Sequence, residues 1–415
     1  MDSVDLTRWR DAIAEPDEAA RAAARERQDR LAKPTGALGR LEEVSTWLAG
    51  VTGQCPPPPI ERVALAIFAG DHGVARTART SAYPPEVSAQ MVAAFVAGGA
   101  AATVLSAHQG VVVRVIDVSV DVDWAAAGLD VPIEVTAHRI RRGSGSIDRA
   151  DATTYDEAVA ALELGARVAD DLIDAGAQLL IAGDMGIGNT TPAAALVGVL
   201  ADVGPVDVVG RGTGIDDLTW MRKTAAVRDA MRRGRAVRAD PVRLLATSGG
   251  ADLAATTGLL LQAAERRVPV LLDGVVSCAC ALVAHEIAPS AAQWWLAAHR
   301  STEPAAVAAL ERLGLEPLLD LGMRLGEGTG ALVALPLVRA AGDLLREMAT
   351  FDSAGVSDRE PPTTTDDPAA DPGPAVDPAR GLGPAVDPAA DPGPAVEPGT
   401  AVVPEARSDK ALPVE

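Results

Sequence analysis

From residue 60 to about residue 285, the sequence alternates short apolar runs with longer segments of helical pattern. Nearly continuous apolar strands that alternate with helices are typical of a parallel sheet covered on both faces. We therefore expect a doubly wound α/β core. The predicted strands are RVALAIFAG (62–70), VVVRVIDVS (111–119), QLLIAGD (178–184), VDVVGRG (206–212) and RVPVLLDG (267–274).

Glycine-rich and polar residues follow these strands, and open α/β sheets bind ligands at the carboxyl ends of their strands. The most unusual of these segments, GDMGIGNTTP at 183–192, precedes the helical run AAALVGVL. Its backbone N–H groups and two hydroxyls suit a phosphate or sugar phosphate. It has neither the GK[ST] of a Walker loop nor a dinucleotide fingerprint. The other segments are GDHG (70–73), DVS (117–119), GRGTG (210–214) and DG (273–274).

The two flanks of the core differ from it in pattern. Residues 1–58 and 286–352 are helix-rich, and we expect them to pack together as a smaller helical domain beside a core at 59–285. The last of these segments carries RLGEGTGALVALPL. Residues 353–415 repeat GPAV-[DE]-P every ten residues and have few bulky apolar side chains, so they are predicted to be a disordered tail.

Composition excludes several classes of function. The net charge of −20 argues against a nucleic-acid partner, since phosphate binding needs clustered Lys and Arg. We found neither a secretory signal nor an apolar stretch of the ~20 residues that a membrane span needs, so we expect a cytoplasmic protein without a membrane partner. The five His and three Cys are scattered, which predicts no metal site and no cofactor. Cys278 and Cys280 lack CxxC spacing and are interpreted as buried small residues.

Three groups of charged residues have two interpretations each. Asp216 and Asp217 superficially resemble a diphosphate-ribose motif, but acids at a helix start more often cap the helix. Lys223, in the helix that follows, either faces solvent or contacts a phosphate. Glu327, between two glycines and before an apolar helix, is either a general base with a raised pKa or an acid that stabilises the helix terminus.

Nine collinear motifs between about residues 30 and 348 together resemble the nicotinate-nucleotide dimethylbenzimidazole phosphoribosyltransferase family. No single motif is decisive, but their common order is highly specific. The motifs are KPTGALGRLE (33–42), GDHGV (70–74), YPPEVSAQMV (83–92), GDMGIGNTTPAAAL (183–196), GRGTGIDD (210–217), SGGADLAATTG (248–258), LLDGVVSCACALVA (271–284), RSTEP (300–304) and RLGEGTGALVALPL (324–337).

The resemblance implies transfer of the 5-phosphoribosyl group from nicotinate mononucleotide to 5,6-dimethylbenzimidazole. The products are α-ribazole 5′-phosphate and nicotinate, and the former serves the nucleotide loop of cobalamin. It also implies a homodimer with a Rossmann-like larger domain and a small helical domain built from both chain ends. Its substrates are small molecules, and it needs no metal.

Residue roles follow by position in the motifs. Glu327 is implied as the catalytic base. The base-binding residues implied by the resemblance are Ser81, Tyr83, Gln90, Asp184 and Met185, with Ser88 as a competitor to Ser81. The residues expected to bind the nucleotide and its phosphate are Gly183, Gly186, Gly188, Asn189, Thr190, Gly212, Thr213, Lys223, Ser248, Gly249 and Gly250.

Two positions depart from the family pattern. Asp184 stands where many relatives have Glu, so its carboxyl group reaches one methylene less far. After RSTEP, this chain has Ala305 and Ala306 where a Gly-His pair is common. The sequence leaves open another acceptor, such as a different benzimidazole, a purine or a phenol. It also leaves open a non-catalytic module that senses the nucleotide, although Glu327 with its flanking glycines disfavours that reading.

Overall fold

The computed structural model describes residues 6–357, and a five-stranded parallel sheet lies at its centre. The strands are β1 (Val63–Gly70), β2 (Val112–Ser119), β3 (Leu179–Met185), β4 (Val270–Leu272) and β5 (Trp295–Ala297). Neighbouring strands follow the order β2-β1-β3-β4-β5, and every pair is parallel.

Helices cover both faces of this sheet, so its central strands are buried on both sides. Along β1, Ala66 and Phe68 pack into one apolar cluster, whereas Leu65 and Ile67 pack into a second cluster on the other face. This two-sided burial is why the strands are continuously apolar. The helices are Thr7–Ala12, Glu18–Arg30, Arg40–Thr52, Gly73–Thr77, Val87–Val96, Ala101–Gln109, Trp124–Ala127, Ile133–Thr136, Tyr155–Asp174, Thr190–Leu200, Pro205–Val208, Asp217–Arg235, Pro241–Ser248, Ala251–Glu265, Val275–Ile287, Pro304–Leu313, Thr329–Glu347 and Phe351–Ala354, with a 3₁₀ helix at Pro289–Trp294.

Four of the five predicted strands are confirmed, and the one at 206–212 is wrong. There the chain forms the short helix Pro205–Val208, in which proline occupies the first turn and Val206 is 59% exposed. Proline is favoured in a first turn because its fixed φ suits a helix and its missing N–H is not needed there. The fifth strand is instead β5, a three-residue segment that the sequence analysis did not identify.

The helices at the two chain ends lie together. Ala24 and Ala49, from Glu18–Arg30 and Arg40–Thr52, share a buried cluster with Leu345 of the last long helix. Arg27 also donates to the carbonyl oxygen of Leu345 at 2.6 Å. However, segment 286–352 contains β5, which pairs with β4 in the central sheet, so the predicted division into domains stays a proposal.

The C-terminal tail was predicted to begin at residue 353. Its first residues belong to the helix Phe351–Ala354, and everything from residue 358 onward, including the ten-residue repeats, lies outside the described residues.

One stretch of the described chain, Val87–Gln109, has the length and apolar composition of a membrane span. It consists of two helices, Val87–Val96 and Ala101–Gln109, which are separated around Gly98 with its left-handed φ of 79°. Neither helix alone approaches the ~20 residues that cross a bilayer. Core helices of proteins that do not enter membranes can have the same length and apolar composition, so this stretch is weak evidence for a membrane span.

The order of strands locates the point at which a ligand is expected. The chain passes from β1 to β2 on one side and then returns to place β3 on the other side of β1. In doubly wound sheets, this reversal opens a crevice beyond the carboxyl ends of the two strands. The segment GDHG begins with the last residue of β1, and GDMGIGNTT begins with the last three residues of β3, so both lie at the crevice.

Candidate active site

Two adjoining cavities open at this crevice. The larger has a volume of about 580 Å³ and a mainly apolar floor that includes Val87, Met91 and Ile187. The smaller has a volume of about 50 Å³ and reaches Asp273 and Ser301. Residues that line both cavities are Asp184, Asn189, Thr190, Arg324, Leu325 and Glu327.

The glycines of loop 183–190 let neighbouring backbone segments approach closely. A Cβ at Gly183 would lie 2.9 Å from the carbonyl oxygen of Glu327, and a Cβ at Gly186 would overlap the carbonyl oxygen of Gly70. Gly188 has a φ of 98°, a left-handed conformation that a side chain disfavours. These glycines therefore join three segments at the site: the ends of β1 and β3 and the turn that carries Glu327.

Glu327 has the most unusual environment in the site. Its φ is 63°, between Gly326 and Gly328 with φ values of 86°, so three consecutive residues are left-handed. The side chain is only 5% exposed, and its Oε2 has no hydrogen-bond partner. Burial, and then the nearby charge of Asp273, raise the pKa of Glu327 to about 7. A carboxyl group with these properties can accept a proton near neutral pH.

Asp273, at the end of β4, stabilises the helix that follows Glu327. Its Oδ1 accepts from the N–H groups of Gly330 at 2.7 Å and Ala331 at 3.1 Å, and its Oδ2 accepts from Gly328 at 3.1 Å. The helix Thr329–Glu347 has Gly328 as its N-cap and receives no cap from Glu327. The Glu327 side chain therefore does not cap this helix, and stabilisation of the helix terminus by its charge stays an alternative to the role of general base.

Lys223 is buried rather than solvent-facing, with 1% exposure. Its Nζ donates to Thr190 Oγ1 at 2.8 Å and to the Gly210 carbonyl oxygen at 3.4 Å. Burial lowers the pKa of Lys223, and the charge of Glu303 partly offsets this effect. Lys223 thus places a cationic group beside both glycine segments. Asp216 caps the same helix by accepting from the Thr219 N–H at 2.8 Å, which confirms the capping interpretation of that acid.

The loop at 210–214 is held from two sides. Its Gly212 donates its N–H to Glu303 Oε1 at 2.7 Å, and its carbonyl oxygen accepts from Arg324 Nε at 3.1 Å. Gly212 and Thr213 line the larger cavity, as expected from the sequence. Arg324, Glu303 and Asp273 lie within the quoted motifs, but the sequence analysis gave them no role. Their contacts join segments that are far apart in the chain.

Of the expected base-binding residues, Ser81, Tyr83, Asp184 and Met185 line the larger cavity. Gln90 does not; it is exposed and lines a separate cavity. Helical geometry explains the difference, because Val87 and Met91 are four residues apart and share the face that lines the larger cavity, whereas Gln90 points elsewhere.

Ser88, the competitor to Ser81, is fully buried outside the cavity wall. Its Oγ donates to Asp71 Oδ1 at 2.5 Å and accepts from the Ile187 N–H at 3.0 Å. It therefore links β1 to the loop at 183–190, and Ser81 is the serine that faces the cavity.

Ser248, Gly249 and Gly250 were expected to bind the nucleotide, but the structure places them away from both cavities. Ser248 Oγ donates to the carbonyl oxygen of Ala230 at 3.2 Å. A Cβ at Gly250 would lie 2.7 Å from His72 Cε1, and one at Gly249 would lie 2.8 Å from the Leu245 carbonyl oxygen. These small residues thus accommodate packing beneath the site.

Cys278 and Cys280 are buried free thiols in the helix Val275–Ile287, which confirms their interpretation as small core residues. Among residues 6–357, no group of three or more His, Cys, Asp or Glu side chains is placed to hold a metal ion.

Comparison with known proteins identifies the family. A family model described as "Phosphoribosyltransferase" matches residues 13–356. The chain is 59% identical over 346 residues to the nicotinate-nucleotide–dimethylbenzimidazole phosphoribosyltransferase of Mycolicibacterium paratuberculosis, which covers 83% of this chain and 97% of that protein. The protein of that name from Mycobacterium tuberculosis is 58% identical over 347 residues, covering 84% of this chain and 94% of that protein.

Solved structures agree with this result. The crystal structure of CobT from Thermus thermophilus matches with a TM-score of 0.75 and 42% sequence identity, and the match covers 82% of this chain and 99% of that one. The same α/β fold is therefore present in an experimentally determined relative. The chain belongs to the nicotinate-nucleotide dimethylbenzimidazole phosphoribosyltransferase family.

Proposed function

We propose that this protein transfers the 5-phosphoribosyl group of nicotinate mononucleotide to 5,6-dimethylbenzimidazole, releasing nicotinate and forming α-ribazole 5′-phosphate for cobalamin. The observation that carries the proposal is Glu327, a buried carboxyl group whose Oε2 has no partner, at the boundary of two adjoining cavities. The family relationship supplies the reaction, and the cavities provide space for a ring and a sugar phosphate side by side.

The acceptor ring would lie in the larger cavity. Val87, Met91 and Ile187 offer apolar surface to a flat aromatic ring, and Ser81 and Tyr83 add hydroxyl groups at the wall. Apolar walls with a few polar groups are typical of sites for small aromatic ligands.

The phosphate of the nucleotide would lie near Lys223. Thr190 accepts from this buried ammonium group and lines both cavities, and Gly188, which precedes it in the same loop, lines the larger one. A cation together with backbone donors is a common arrangement for binding phosphate.

The bond changes need one base and no added acid. The C1′–N bond of nicotinate mononucleotide breaks, and its electron pair neutralises the pyridinium nitrogen, so nicotinate leaves without protonation. One benzimidazole nitrogen attacks C1′ from the opposite face, which converts the β configuration to α. The other nitrogen loses its proton to Glu327, whose pKa of about 7 suits this transfer.

The direct test is to incubate the protein with nicotinate mononucleotide and a panel of bases and to analyse products by mass. The proposal predicts α-ribazole 5′-phosphate and an equal amount of nicotinate. Ribosylation of a purine or a phenol in preference to dimethylbenzimidazole would keep the chemistry and change the acceptor. Nucleotide binding without any product would support the sensing module instead.

Three further expectations from the sequence stay proposals: a homodimer, a cytoplasmic location, and the absence of a nucleic-acid or membrane partner. Light scattering on the purified full chain would measure the mass of the particle. A mass of one chain across the working concentration range would contradict the dimer.

A further inference from the structure

Two sequence motifs, GDHGV and SGGADLAATTG, meet in a buried cluster beneath the cavities. His72 Nε2 lies 2.8 Å from Asp252 Oδ2, and both side chains are fully buried. The surrounding glycines accommodate this pair: a Cβ at Gly70 would lie 2.9 Å from Asp252 Cγ, and one at Gly250 would lie 2.5 Å from Asp252 Oδ1. The steps of the proposed reaction use neither His72 nor Asp252.

Asp184 lies beside Phe68 of the neighbouring strand β1, so its side chain points to the sheet face that packs against the helix Ala251–Glu265, which carries Asp252. Asp184 also lines both cavities. Asp184 Oδ1 accepts from Asn189 Nδ2 at 2.7 Å, whereas Asp184 Oδ2 is buried without a partner. Asp252 Oδ1 is also buried without a partner. Ionised carboxylates can only accept hydrogen bonds, so two such oxygens in one buried cluster lack a donor. A single proton would supply it.

We propose that Asp184 holds a proton that it donates to Asp252, that His72 balances the charge of Asp252, and that Asp184 therefore meets the substrates as a neutral acid. Both unpartnered oxygens are then satisfied, and the buried group of three side chains has no net charge. Burying an uncompensated charge is strongly unfavourable, so this is the arrangement that burial favours.

The electrostatic effects on the individual groups agree in direction. Burial, and then the charge of Asp252, raise the pKa of Asp184 well above its usual value. Burial disfavours protonated His72, but the charge and hydrogen bond of Asp252 outweigh it and raise the pKa of His72. The other titratable groups that face the cluster are Asp71, whose charge also favours protonated His72, and Cys280, whose pKa burial raises well above its usual value.

A neutral Asp184 separates the roles of the two carboxyl groups that line both cavities. Glu327 remains the group free to accept a proton, while Asp184 already holds one. Carboxyl pairs whose environments set different protonation states are a recurrent feature of active sites. This catalytic meaning rests on the proposed function, whereas the protonation of Asp184 does not. His72 and Asp252 are positioning residues in this account.

Infrared difference spectroscopy on the full chain tests the proposal directly. The spectrum of the parent minus that of Asp184→Asn at pH 7 should contain the C=O stretch of a protonated carboxyl group. A difference that contains only carboxylate bands would overturn the proposal. Because this readout does not involve turnover, a protein that shows the band but forms no product would disprove the proposed function alone.

The role of Asp252 is tested with a second variant. In Asp252→Asn, the amide can donate to Asp184 Oδ2 and the neighbouring negative charge is gone, so the protonated band should disappear at pH 7. Ser144→Ala is the matched control, because its Oγ lies 3.5 Å from His72 Nδ1 and carries no charge. The control should keep the band. Persistence of the band in Asp252→Asn would remove Asp252 from the proposal.

Stability as a function of pH gives an independent measurement if Asp252→Asn does not fold. When the pKa of a carboxyl group is raised in the folded state, the folded protein becomes less stable as pH rises above the unfolded pKa of about 3.9. Asp184→Asn removes this loss, so the Tm of the variant relative to the parent should increase between pH 4 and pH 7. A difference in Tm that is constant over this range would contradict a protonated Asp184.

Discussion

At the scale of single residues, Glu327 combines a disfavoured backbone conformation with a disfavoured environment. A left-handed φ in a residue other than glycine costs about 1–3 kcal/mol, and such residues cluster at functional sites. The unpartnered Oε2 adds a further cost, because a buried acceptor is left without a donor. Asp273 offsets part of it by fixing the backbone of the following turn.

Glu327→Gln keeps the size of the side chain but removes its ability to accept a proton. We expect kcat to fall by ~10²–10⁴-fold, the usual contribution of a general base. Nicotinate mononucleotide should still bind, since Lys223 and the loop at 183–190 are unchanged. Calorimetry and product formation measured together check both statements. Glu163→Gln, on the exposed face of a helix, is the control. An unchanged kcat in Glu327→Gln would remove Glu327 from the mechanism.

The pH dependence follows from the same group. Because a general base must be ionised, kcat/KM should rise with pH up to about 7 and then become constant, in line with the pKa of about 7. The substrate phosphate also titrates near pH 6, so the profile of Glu327→Gln is the reference. The rise of kcat/KM near pH 7 should be missing in that variant. If kcat/KM rises identically near pH 7 in both proteins, a group other than Glu327 causes the rise.

At the scale of secondary structure elements, long-range contacts decide what each segment does. Asp273 lies at the end of β4 and caps a helix that begins more than fifty residues later. The close contact between helices Tyr155–Asp174 and Ala251–Glu265 likewise depends on glycines in both. Cβ atoms at Gly165 and Gly258 would overlap backbone carbonyl oxygens of the facing helix.

Asp273→Asn should affect both stability and catalysis. Loss of the charged acceptor weakens three hydrogen bonds, and we expect a loss of about 1–2 kcal/mol, as for other helix caps. The pKa of Glu327 should also fall, since the charge of Asp273 raises it, so the acid limb of kcat/KM moves to lower pH. Thermal unfolding and pH profiles measure the two effects. Asp216→Asn removes an exposed cap of a different helix and should leave the rise of kcat/KM at the same pH.

Gly258→Ala should destabilise the protein although alanine favours helices. Alanine gains up to ~1 kcal/mol of helix propensity over glycine. Its methyl group would collide with the Leu162 carbonyl oxygen, and overpacking of this kind costs typically 1–3 kcal/mol. Gly342→Ala, in the helix Thr329–Glu347, meets Leu48 only at 3.4 Å and should be neutral or stabilising. Denaturant unfolding measures the free energy of unfolding of both variants. If Gly258→Ala stabilises the protein as much as Gly342→Ala does, the contact between helices Tyr155–Asp174 and Ala251–Glu265 can relax to accept the methyl group.

The strongly patterned elements were predictable from sequence, and those set by tertiary contacts were not. Strands β1 and β3 are nearly continuous apolar runs between helical segments, so the hydrophobic pattern identifies them. The valines at 206–209 look like a strand, but their position after Gly204 and Pro205 favours a short helix. The contacts of Asp273 with the backbone that follows Glu327 could not be predicted either, because Asp273 is remote from that turn in sequence.

At the scale of the whole molecule, the order of strands gathers the site from segments spread over most of the chain. The segments that follow β3 and β4, the loop at 210–214 and the residues 324–327 converge on two cavities. The helices near the N-terminus pack against the last long helix, which starts two residues after Glu327. The family match ends at residue 356, close to the end of that packing.

A chain truncated after Ser357 should keep its fold and its rate. The match to the relative from Mycolicibacterium paratuberculosis covers 97% of that protein but only 83% of this chain. The family match ends at residue 356, so the residues beyond it lie outside the part that this chain shares with its family. We expect kcat/KM within about twofold of the parent and an unchanged Tm, checked by product formation and thermal unfolding. A large fall in kcat/KM would show that the acidic repeats take part in catalysis.

The left-handed turn at Glu327 also affects how this enzyme could be engineered. A library screened only for heat resistance would favour glycine at position 327, because glycine adopts this φ without strain and buries no carboxyl group. Such a screen would enrich inactive proteins. Glu327 should therefore be held fixed in any consensus or computational redesign, although its backbone conformation favours glycine.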